Sequence, residues 1–255
     1  MSVTSGTEPI STKQSEPIRF YIEVASENSL MVYFGTNNAN LQPEISLELC
    51  AMIGRAQTLI KSSLGDTVLD TIPSYSSLMI TYDLWLVDHF HIRNRIQKLI
   101  KQLVSDSVSE HKLNGNTFTL PVYYDTCVGP DLPRIAKNAG ISIEEVIQLH
   151  VQQEYYVYTI GFAPGFAYLG EVNETIAMPR LATPRATVAQ GSVAIADKQT
   201  AIYPAPSPGG WNIIGRCPTP MFNPNSETPI PVAVGDKVRF KAITETQFLE
   251  LGGQL

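Results

Sequence analysis

The feature that most constrains the fold is a change in hydrophobic pattern between the two halves of the chain. Over residues 18–105, two long segments carry apolar side chains every three or four positions, with short strand-like runs around them. After Tyr155 the β-prone runs are short and are separated by turn residues, and most of the 17 Gly and 18 Pro lie there. Such spacing favours a barrel or a sandwich over a parallel α/β sheet. The pattern therefore predicts an α+β domain followed by a mainly-β domain.

The first domain is predicted to span residues 17–105. Its expected strands cover residues 18–24, 30–34, 68–72 and 78–82, and its expected helices run from Ile45 to about Gly65 and from Trp85 to Leu103. The preceding residues, 1–16, are rich in Ser, Thr, Glu and Pro, and they have neither the basic start nor the apolar core of a secretory signal. We expect them to form a disordered tail.

A polar segment, residues 106–116, is predicted to link this domain to a β domain over residues 117–255. The second domain should open with a strand at 118–124 and two short helices. Asp131 is placed to cap the first helix and Gly140 to end it, whereas Ser142 and Glu145 have the spacing of a capping box for the second. The later strand-like runs cover residues 155–160, 188–196, 201–203, 211–214 and 237–240.

Composition limits the partners that the chain can have. Only 16% of the residues are charged and the net charge is −6, which argues against a nucleic-acid partner. The strongest apolar run, residues 78–87, is far shorter than the roughly 20 residues that a bilayer span needs. Cys50, Cys127 and Cys217 lack the spacing of a disulfide framework or a zinc site. We therefore expect a cytoplasmic protein with reduced thiols, no membrane partner and no tightly bound metal.

Two irregular segments carry candidate ligand-binding residues. Residues 161–170 include Phe162 and Gly165 and contain two Gly-Phe steps around a proline, which excludes a regular helix. This loop forms either a concave ligand-binding wall or a buried aromatic corner. Farther along, Arg180 and Arg185 each follow a proline that restricts the backbone before it. Each guanidinium is suited to grip a carboxylate or phosphate, or to form a structural ion pair.

A third segment combines polar and aromatic side chains with a Gly-Gly-Trp turn. Its candidate binding residues are Gln199, Tyr203, Gly209, Gly210, Trp211 and Asn212. Core packing explains Trp211 well, but it explains Gln199 and Asn212 less well. The segment therefore favours a small-molecule pocket in the second domain.

The histidines lead to two different expectations. His150 lies at a predicted helix end, where the helix dipole would keep it charged or where it would act as an acid or base. His89 and His91 are two residues apart near a helix start and point in different directions, so they are predicted to be a solvated pair rather than metal ligands.

Taken together, several motifs resemble one family. They are Gly129-Pro130-Asp131-Leu132, Glu145-Val146-Ile147 running to His150, the loop 161–170, the doubled Pro-Arg, Gly191-Ser192-Val193, Gln199-Thr200 to Tyr203, and Pro208-Gly209-Gly210-Trp211 through Ile214-Gly215-Arg216. The family comprises the B-type component of 5-oxoprolinase, kinase-A inhibitor proteins and allophanate hydrolase subunit 1, which share a module with the carboxyltransferase domain of urea carboxylase. The likeness covers residues 17–243. One departure is Cys217, where relatives usually carry threonine.

The resemblance implies a small α+β domain followed by a cyclophilin-like β-barrel. It also implies the B-type component of an ATP-dependent 5-oxoprolinase, working beside a second cyclophilin-like subunit of the C type and a subunit of the A type. The alternatives are an inhibitor of a sensor histidine kinase and a component of allophanate or urea metabolism. No G-x-x-x-x-G-K-[ST] loop is present. ATP with Mg²⁺ is therefore expected to bind a different kind of surface or to be shared with the partners.

Within this interpretation, the predicted catalytic residues are His150 and Arg185. The predicted ligand-binding residues are Phe162, Gly165, Arg180, Gln199, Tyr203, Gly209, Gly210, Trp211 and Asn212.

Overall fold

The computed structural model describes residues 18–36, 45–106 and 115–255. The predicted tail, 1–16, and residues 107–114 of the predicted linker, 106–116, lie outside the described residues. The two largest hydrophobic clusters are separate, one built from residues 18–104 and the other from residues 118–240. Within the described part of the chain, no helix is both long and apolar enough to cross a membrane.

The first cluster lies between a four-stranded antiparallel sheet and two helices. The strands are β1 (Arg19–Ser26), β2 (Ser29–Gly35), β3 (Val68–Pro73) and β4 (Ser77–Tyr82), in the order β1-β2-β4-β3, and the helices are α1 (Leu47–Leu64) and α2 (His89–Ser105). Alternate strand residues such as Leu30 and Val32 are fully buried against Met52 and Ile53 of α1. Such alternation is expected for a sheet that has one face packed on the core and the other in solvent.

Helix α2 begins later than predicted. The carboxylate of Asp88 accepts hydrogen bonds from the backbone N–H groups of Phe90 (2.9 Å) and His91 (3.0 Å), which fixes the N-terminus at His89. Trp85, the predicted first residue of the helix, lies in the preceding turn and is 95% exposed. Its apolar side chain matches the helical period without belonging to the core.

The second domain contains a closed barrel, which confirms the predicted barrel architecture. Its strands are β5 (Thr117–Tyr123), β6 (Glu154–Ile160), β7 (Ala167–Gly170), β9 (Ser192–Ala196), β10 (Gln199–Ile202), β12 (Asn212–Arg216) and β13 (Lys237–Ile243). They close in the order β10-β7-β6-β13-β5-β12-β9, and only β13 and β5 pair in parallel. Strands β8 (Arg185–Val188) and β11 (Ser207–Gly209) form a separate two-stranded sheet.

Four elements of the second domain differ from the sequence-based prediction. The predicted strand 188–196 is interrupted by a turn at 189–191 and divides between β8 and β9. Strands β7 and β11 were not predicted, because they are only four and three residues long and β11 contains a proline. The C-terminal helix α5 (Glu245–Glu250) is also short and was not predicted.

Helices α3 (Leu132–Ala139) and α4 (Ile143–Gln152) pack against the barrel core. Gly140 ends α3 in the left-handed conformation at φ 69°, and Ser142 with Glu145 forms the predicted capping box of α4. Asp131 directly precedes α3, but its carboxylate does not cap that helix, which corrects the prediction. Its oxygens instead accept hydrogen bonds from distant parts of the barrel, as described below.

The β3–β4 hairpin connects the first domain to the barrel. The hydroxyl of Thr159 donates to the carbonyl oxygen of Pro73 over 3.1 Å, and the side-chain amide of Gln199 donates to the hydroxyl of Tyr75 over 2.7 Å. Cys50 of α1 is buried with its sulfur 3.9 Å from the carbonyl oxygen of Val157. These contacts place a loop of the first domain beside the irregular segments of the second.

Candidate ligand-binding face of the barrel

An aromatic cluster lies on the outside of the barrel wall formed by β9, β10 and β12. The ring of Phe166 is at its centre, with ring centroids 5.2 Å from Phe162, 4.8 Å from Tyr168, 5.2 Å from Tyr203 and 5.7 Å from Trp211. Most of these contacts are edge-to-face, the arrangement that aromatic quadrupoles favour. The loop 161–170 thus contributes both to a packed corner and to a surface.

The conformation of this loop depends on Gly165. Its φ is 81°, and a Cβ atom there would overlap the backbone carbonyl of Met221. Phe162 also has a positive φ, 70°, although it is not glycine, and its side chain is 66% exposed. Strained backbone of this kind collects at functional sites, and the exposed ring of Phe162 extends from the cluster to the surface instead of filling the core.

Arg180 supplies the charge on this face. Its guanidinium carbon lies 5.7 Å from the ring centroid of Trp211, in cation–π geometry. The residue is exposed, and among the described residues it has no hydrogen-bond or ion-pair partner. A guanidinium with unused donors can bind a carboxylate or a phosphate through two parallel hydrogen bonds.

Three phenol groups lie close enough to this guanidinium to sense its charge. Burial raises the pKa values of Tyr75, Tyr168 and Tyr203, and the nearby charge of Arg180 offsets that rise only in part. The three hydroxyls therefore stay protonated at neutral pH. A protonated phenol beside a free guanidinium adds a hydrogen-bond donor for an anionic ligand.

Tyr75 also lies on this candidate face, although the sequence motifs did not indicate it. It comes from the first domain, its hydroxyl accepts the hydrogen bond from Gln199, and its ring lies edge-on to Tyr168 at 5.9 Å. Among the described residues no acceptor takes its own proton. Nothing in the local sequence marks it, because Gln199 is 124 positions away along the chain.

Arg185, unlike Arg180, has its guanidinium bound to other groups of the protein. Its Nη2 donates to Oδ1 of Asp131 at 2.9 Å, and its Nη1 donates to the carbonyl oxygen of Trp211 at 3.4 Å. The other carboxylate oxygen of Asp131 accepts from the backbone N–H of Ile213 at 2.7 Å. The geometry favours the structural ion pair that the sequence left open, and it gives Arg185 a positioning role instead of the predicted catalytic one.

His150 lies inside the barrel, where the prediction of a charged helix-end residue is wrong. The side chain is fully buried, stacks on Phe240 with a centroid distance of 4.6 Å, and has a pKa lowered by burial to about 3. Thr200 donates its hydroxyl proton to the carbonyl of Ala194, so Nε2–H of His150 donates to Thr200. Nδ1 then accepts from the hydroxyl of Tyr124 at 2.8 Å.

Both ring nitrogens of His150 are therefore used within the protein core. The neutral ring cannot reach a ligand on the outer face, since the residue is enclosed by the barrel and by α4. This geometry replaces the predicted catalytic role with a structural one.

Three further predicted residues hold the backbone beneath this face: Asn212, Gly209 and Gly210. The amide of Asn212 is buried, donates to the carbonyls of Pro179 (3.1 Å) and Ile195 (3.0 Å), and accepts from Arg134. It thereby fixes the backbone just before Arg180. Gly209 packs so closely on the Tyr203 hydroxyl that a Cβ atom would overlap it, and the carbonyl of Gly210 accepts from the N–H of Leu181 at 2.7 Å.

Comparison with known proteins gives the family. The model of the carboxyltransferase domain, subdomain C and D, matches residues 21–232. The chain belongs to this family. It is 33% identical over 238 residues to a protein of Bacillus subtilis (strain 168) that is named as the B component of 5-oxoprolinase, and the match covers 91% of this chain and 96% of that protein. The resemblance noted from the sequence motifs is thus confirmed.

Two solved structures show related architecture. The crystal structure of TTHA0988 matches with a TM-score of 0.69 at 32% identity, over 89% of this chain and 40% of that one. This chain therefore spans less than half of that protein. The urea carboxylase of Kluyveromyces lactis matches with a TM-score of 0.68 over 91% of this chain and 22% of that one, at 17% identity, which shows the fold alone.

This carboxyltransferase-family barrel brings together part of the predicted site. Six of the predicted residues lie on or directly below one outer face: Phe162, Gly165, Arg180, Gln199, Tyr203 and Trp211. The other predicted residues support that face or lie inside the barrel. His91 is exposed beside Asp88, as predicted, whereas His89 is half-buried with its Nδ1 2.9 Å from the hydroxyl of Tyr82, so the prediction of a solvated pair holds only for His91. Among the described residues, no group of His, Cys, Asp and Glu side chains has the arrangement of a metal site.

Proposed function

We propose that this chain is the B-type component of an ATP-dependent 5-oxoprolinase, which opens 5-oxo-L-proline to L-glutamate together with partner subunits. The observation that carries the proposal is the nearly full-length likeness to the Bacillus subtilis protein of that name. Two further curated relatives have the same name: one from Escherichia coli O157:H7 is 45% identical over 48% of this chain and 56% of its own length, and one from Haemophilus influenzae is 37% identical over 68% of this chain and 78% of its own length. The exposed guanidinium and the aromatic wall supply a site of suitable chemistry for a small carboxylate.

In this proposal, Arg180 binds the carboxylate of 5-oxoproline. Tyr75 donates its free hydroxyl proton to the same group, and the rings of Phe162 and Trp211 cover the apolar part of the lactam. Each charge-assisted hydrogen bond of this kind contributes roughly 1.5–3 kcal/mol. The chain's own residues therefore bind and orient the substrate, and the aromatic wall excludes water from one side of it.

Opening an amide needs activation, because an amide carbonyl is a poor electrophile. ATP would supply it by phosphorylating the lactam oxygen. Arg180 fits an anionic group, but among the described residues no acidic cluster on this face fits Mg²⁺. We therefore assign the nucleotide and its metal mainly to the partners.

The partners in the proposal are a second cyclophilin-like subunit of the C type and a subunit of the A type. The curated relatives are each named as one component of a larger enzyme, which supports a complex of several chains. The face is also open on one side, since Phe162 and Arg180 are both exposed. A partner subunit placed over them would complete the pocket.

Reconstitution tests this function. The chain is mixed with its A-type and C-type partners, and glutamate formed from 5-oxoproline is measured with and without ATP. We expect ATP-dependent glutamate only in the complete mixture. Arg180→Met should reduce turnover strongly, whereas Arg239→Met, which changes an exposed arginine paired with Glu154, should not. No glutamate from the complete mixture, together with ATP-dependent turnover of allophanate or urea, would overturn the proposal.

A further inference from the structure

Strand β1 lies at the edge of the first-domain sheet. Among the described residues it pairs only with β2, in a regular register from Arg19 to Val24 that ends in a bulge. The strand contains neither proline nor lysine, the residues that commonly block such an edge. An open edge presents N–H and C=O groups that another strand can pair with. We propose that residues 18–24 pair antiparallel with the same residues of a second copy of the chain, around a two-fold axis at Tyr21.

Alternate residues of β1 turn their backbone groups toward this free edge. The N–H of Phe34 in β2 donates to the carbonyl oxygen of Ser76 at 2.7 Å, on the side away from β1. Phe20 is the register partner of Phe34, so its N–H and C=O groups point away from β2. The backbone groups of Ile22 and Val24 have the same phase along the strand. A second strand can therefore bond to all three residues without disturbing the existing sheet.

A side chain of α2, Arg93, contacts this edge. Its Nη2 donates to the carbonyl oxygen of Ile22 at 3.4 Å, which agrees with a carbonyl that points away from β2. The bond is long for a hydrogen bond, and Arg93 is exposed. An incoming strand can therefore displace Arg93 at little cost, because its backbone N–H replaces a weak donor.

The charged side chains of β1 are complementary about Tyr21. An antiparallel pairing with its axis there places Arg19 opposite Glu23 of the second copy, and Glu23 opposite Arg19. Both residues are exposed, and among the described residues neither has a hydrogen-bond or ion-pair partner. An axis at Arg19 or at Glu23 would instead place like charges opposite each other, which is destabilising. The charge pattern thus favours a second copy, and it also selects the register.

The other pairs across the axis are apolar. On the sheet face opposite the helices, the ring of Tyr21 stacks on Tyr33 with a centroid distance of 4.7 Å, and the axis brings the two Tyr21 rings together beside this stack. On the other face, Phe20 lies opposite Ile22 of the second copy. Val24 is 62% exposed in the single chain, and pairing covers it. Aromatic and apolar pairs of this kind stabilise neighbouring antiparallel strands.

The antiparallel arrangement also separates the two barrels. Tyr75, whose hydroxyl contacts Gln199 of the barrel, lies next to Ser76 at the end of the sheet where β1 begins. The two β1 strands point in opposite directions, so the two barrels lie at opposite ends of an eight-stranded sheet. The outer barrel face with Arg180 takes no part in this pairing. The inference is therefore independent of the proposed enzymatic function.

The first test traps the pairing as disulfides in the full-length chain. Cys127, the exposed native cysteine, is replaced by serine in every variant. In the proposed register the two copies of position 21 form a non-hydrogen-bonded pair with Cα atoms about 4.5 Å apart, a separation that a disulfide can span. Tyr21→Cys should therefore give a disulfide-linked dimer under mild oxidation.

Two further variants test the register. The two copies of position 23 are about 13 Å apart along the strands, as are the two copies of position 19, so neither Glu23→Cys nor Arg19→Cys should cross-link with itself. A mixture of these two proteins should cross-link, because positions 19 and 23 are opposite each other. The mixed dimer keeps one Arg19–Glu23 ion pair. Circular dichroism of each variant checks that it is folded.

The second test measures association by sedimentation equilibrium. We expect a monomer–dimer equilibrium with a Kd of about 1–100 μM, since the pairing of two strand edges is a small interface. Arg19→Glu and Glu23→Arg each place like charges opposite each other twice, and each should weaken dimerisation at least tenfold. The variant with both changes restores opposite charges and should dimerise as the wild type does, within about threefold. Arg239→Met is the control for an unrelated surface charge and should have no effect.

Three results would each overturn the proposal. They are a wild-type chain that stays monomeric at about 1 mM, equal self-cross-linking of Tyr21→Cys and Glu23→Cys, and a double charge variant as weak as the single ones. A last measurement adds the C-type partner to Tyr21→Cys and follows labelling of its thiol by a maleimide. If the chain alone does not dimerise and only that partner protects the thiol, the edge binds the partner subunit and the proposal is wrong.

Discussion

His150 in the barrel interior and Arg180 on the outer face are both polar side chains beside aromatic rings. They differ in how many of their hydrogen bonds are made within the protein. Both nitrogens of His150 have partners, and the residue is fully enclosed. Arg180 lies over Trp211 with its donors unused among the described residues. The difference shows which polar group is available to a ligand. Saturated polar groups stabilise the fold, and unsaturated ones at the surface can act on a substrate.

The doubled Pro-Arg motif shows the same contrast over five residues. Arg185 is engaged by the nearly buried carboxylate of Asp131, whereas Arg180 is exposed. The two arginines look equivalent in sequence, since each follows a proline in a segment with little other charge. Their roles are set by whether an acidic side chain lies within reach in the folded barrel.

The contrast is tested most severely by Asp131→Ala. This change leaves Arg185 without its carboxylate partner and the buried N–H of Ile213 without an acceptor. We expect a loss of about 3 kcal/mol in the free energy of unfolding, as for other partly buried ion pairs that lose one member. Urea denaturation at neutral pH measures it, with Glu154→Ala at a more exposed ion pair as the control. A loss below about 1 kcal/mol would show that Arg185 and Asp131 do not hold the face together.

Arg180→Met should have the opposite profile. We expect the free energy of unfolding to change by no more than about 1 kcal/mol, since the side chain is exposed, has no polar partner among the described residues and loses only its cation–π contact with Trp211. The turnover of the reconstituted complex should fall by about 10- to 100-fold, which corresponds to roughly 1.5–3 kcal/mol. Arg180→Lys should recover part of that loss. Unchanged kinetics in the folded Met variant would remove Arg180 from the site.

Sequence predicted best the features that depend on neighbouring residues. The Ser142–Glu145 capping box spans three positions, and Gly140 acts at its own backbone, so both were predicted correctly. The role of Asp131 was predicted wrongly, because its partners, Arg185 and Ile213, are 54 and 82 positions away. A short-range rule assigned the carboxylate to the nearest helix, but the folded barrel offers it stronger partners.

The candidate site also contains residues that local sequence identifies and residues that it does not. Loop 161–170 and the Gly-Gly-Trp turn were identifiable because glycine and proline restrict the local backbone. The contribution of Tyr75 and the burial of His150 depend on how distant segments meet. A histidine at a helix end looks the same in sequence whether solvent or a barrel core lies beside it.

The neutral state of the buried His150 can be tested by measuring stability at different pH values. Burial lowers the pKa of His150 to about 3, so the folded protein keeps this ring neutral while the unfolded chain takes up a proton below pH 6.5. The unfolded state then binds more protons, and stability falls as the pH is lowered from about 6.5 toward 3. Between pH 7 and pH 5 we expect His150 to account for a loss of about 2 kcal/mol.

The measurement compares denaturant unfolding of the wild type and of His150→Gln at the two pH values. The Gln variant is less stable at pH 7, because it loses the fit between Tyr124 and Thr200. Its further loss between pH 7 and pH 5 should nevertheless be smaller than that of the wild type. Parallel losses in the two proteins would mean that His150 is not held neutral.

Tyr75→Phe gives the smallest expected effect and tests where the two domains meet the site. The change removes one hydroxyl, leaves the ring against Tyr168, and takes away the acceptor of the Gln199 amide. We expect a stability loss of about 1 kcal/mol, and a three- to tenfold rise in the KM for 5-oxoproline in the reconstituted complex. Tyr33→Phe, on the first-domain sheet, serves as the matched control and should leave the KM unchanged. If Tyr75 only joins the domains, Tyr75→Phe will lower stability without moving the KM, and the hydroxyl will not belong to the ligand site.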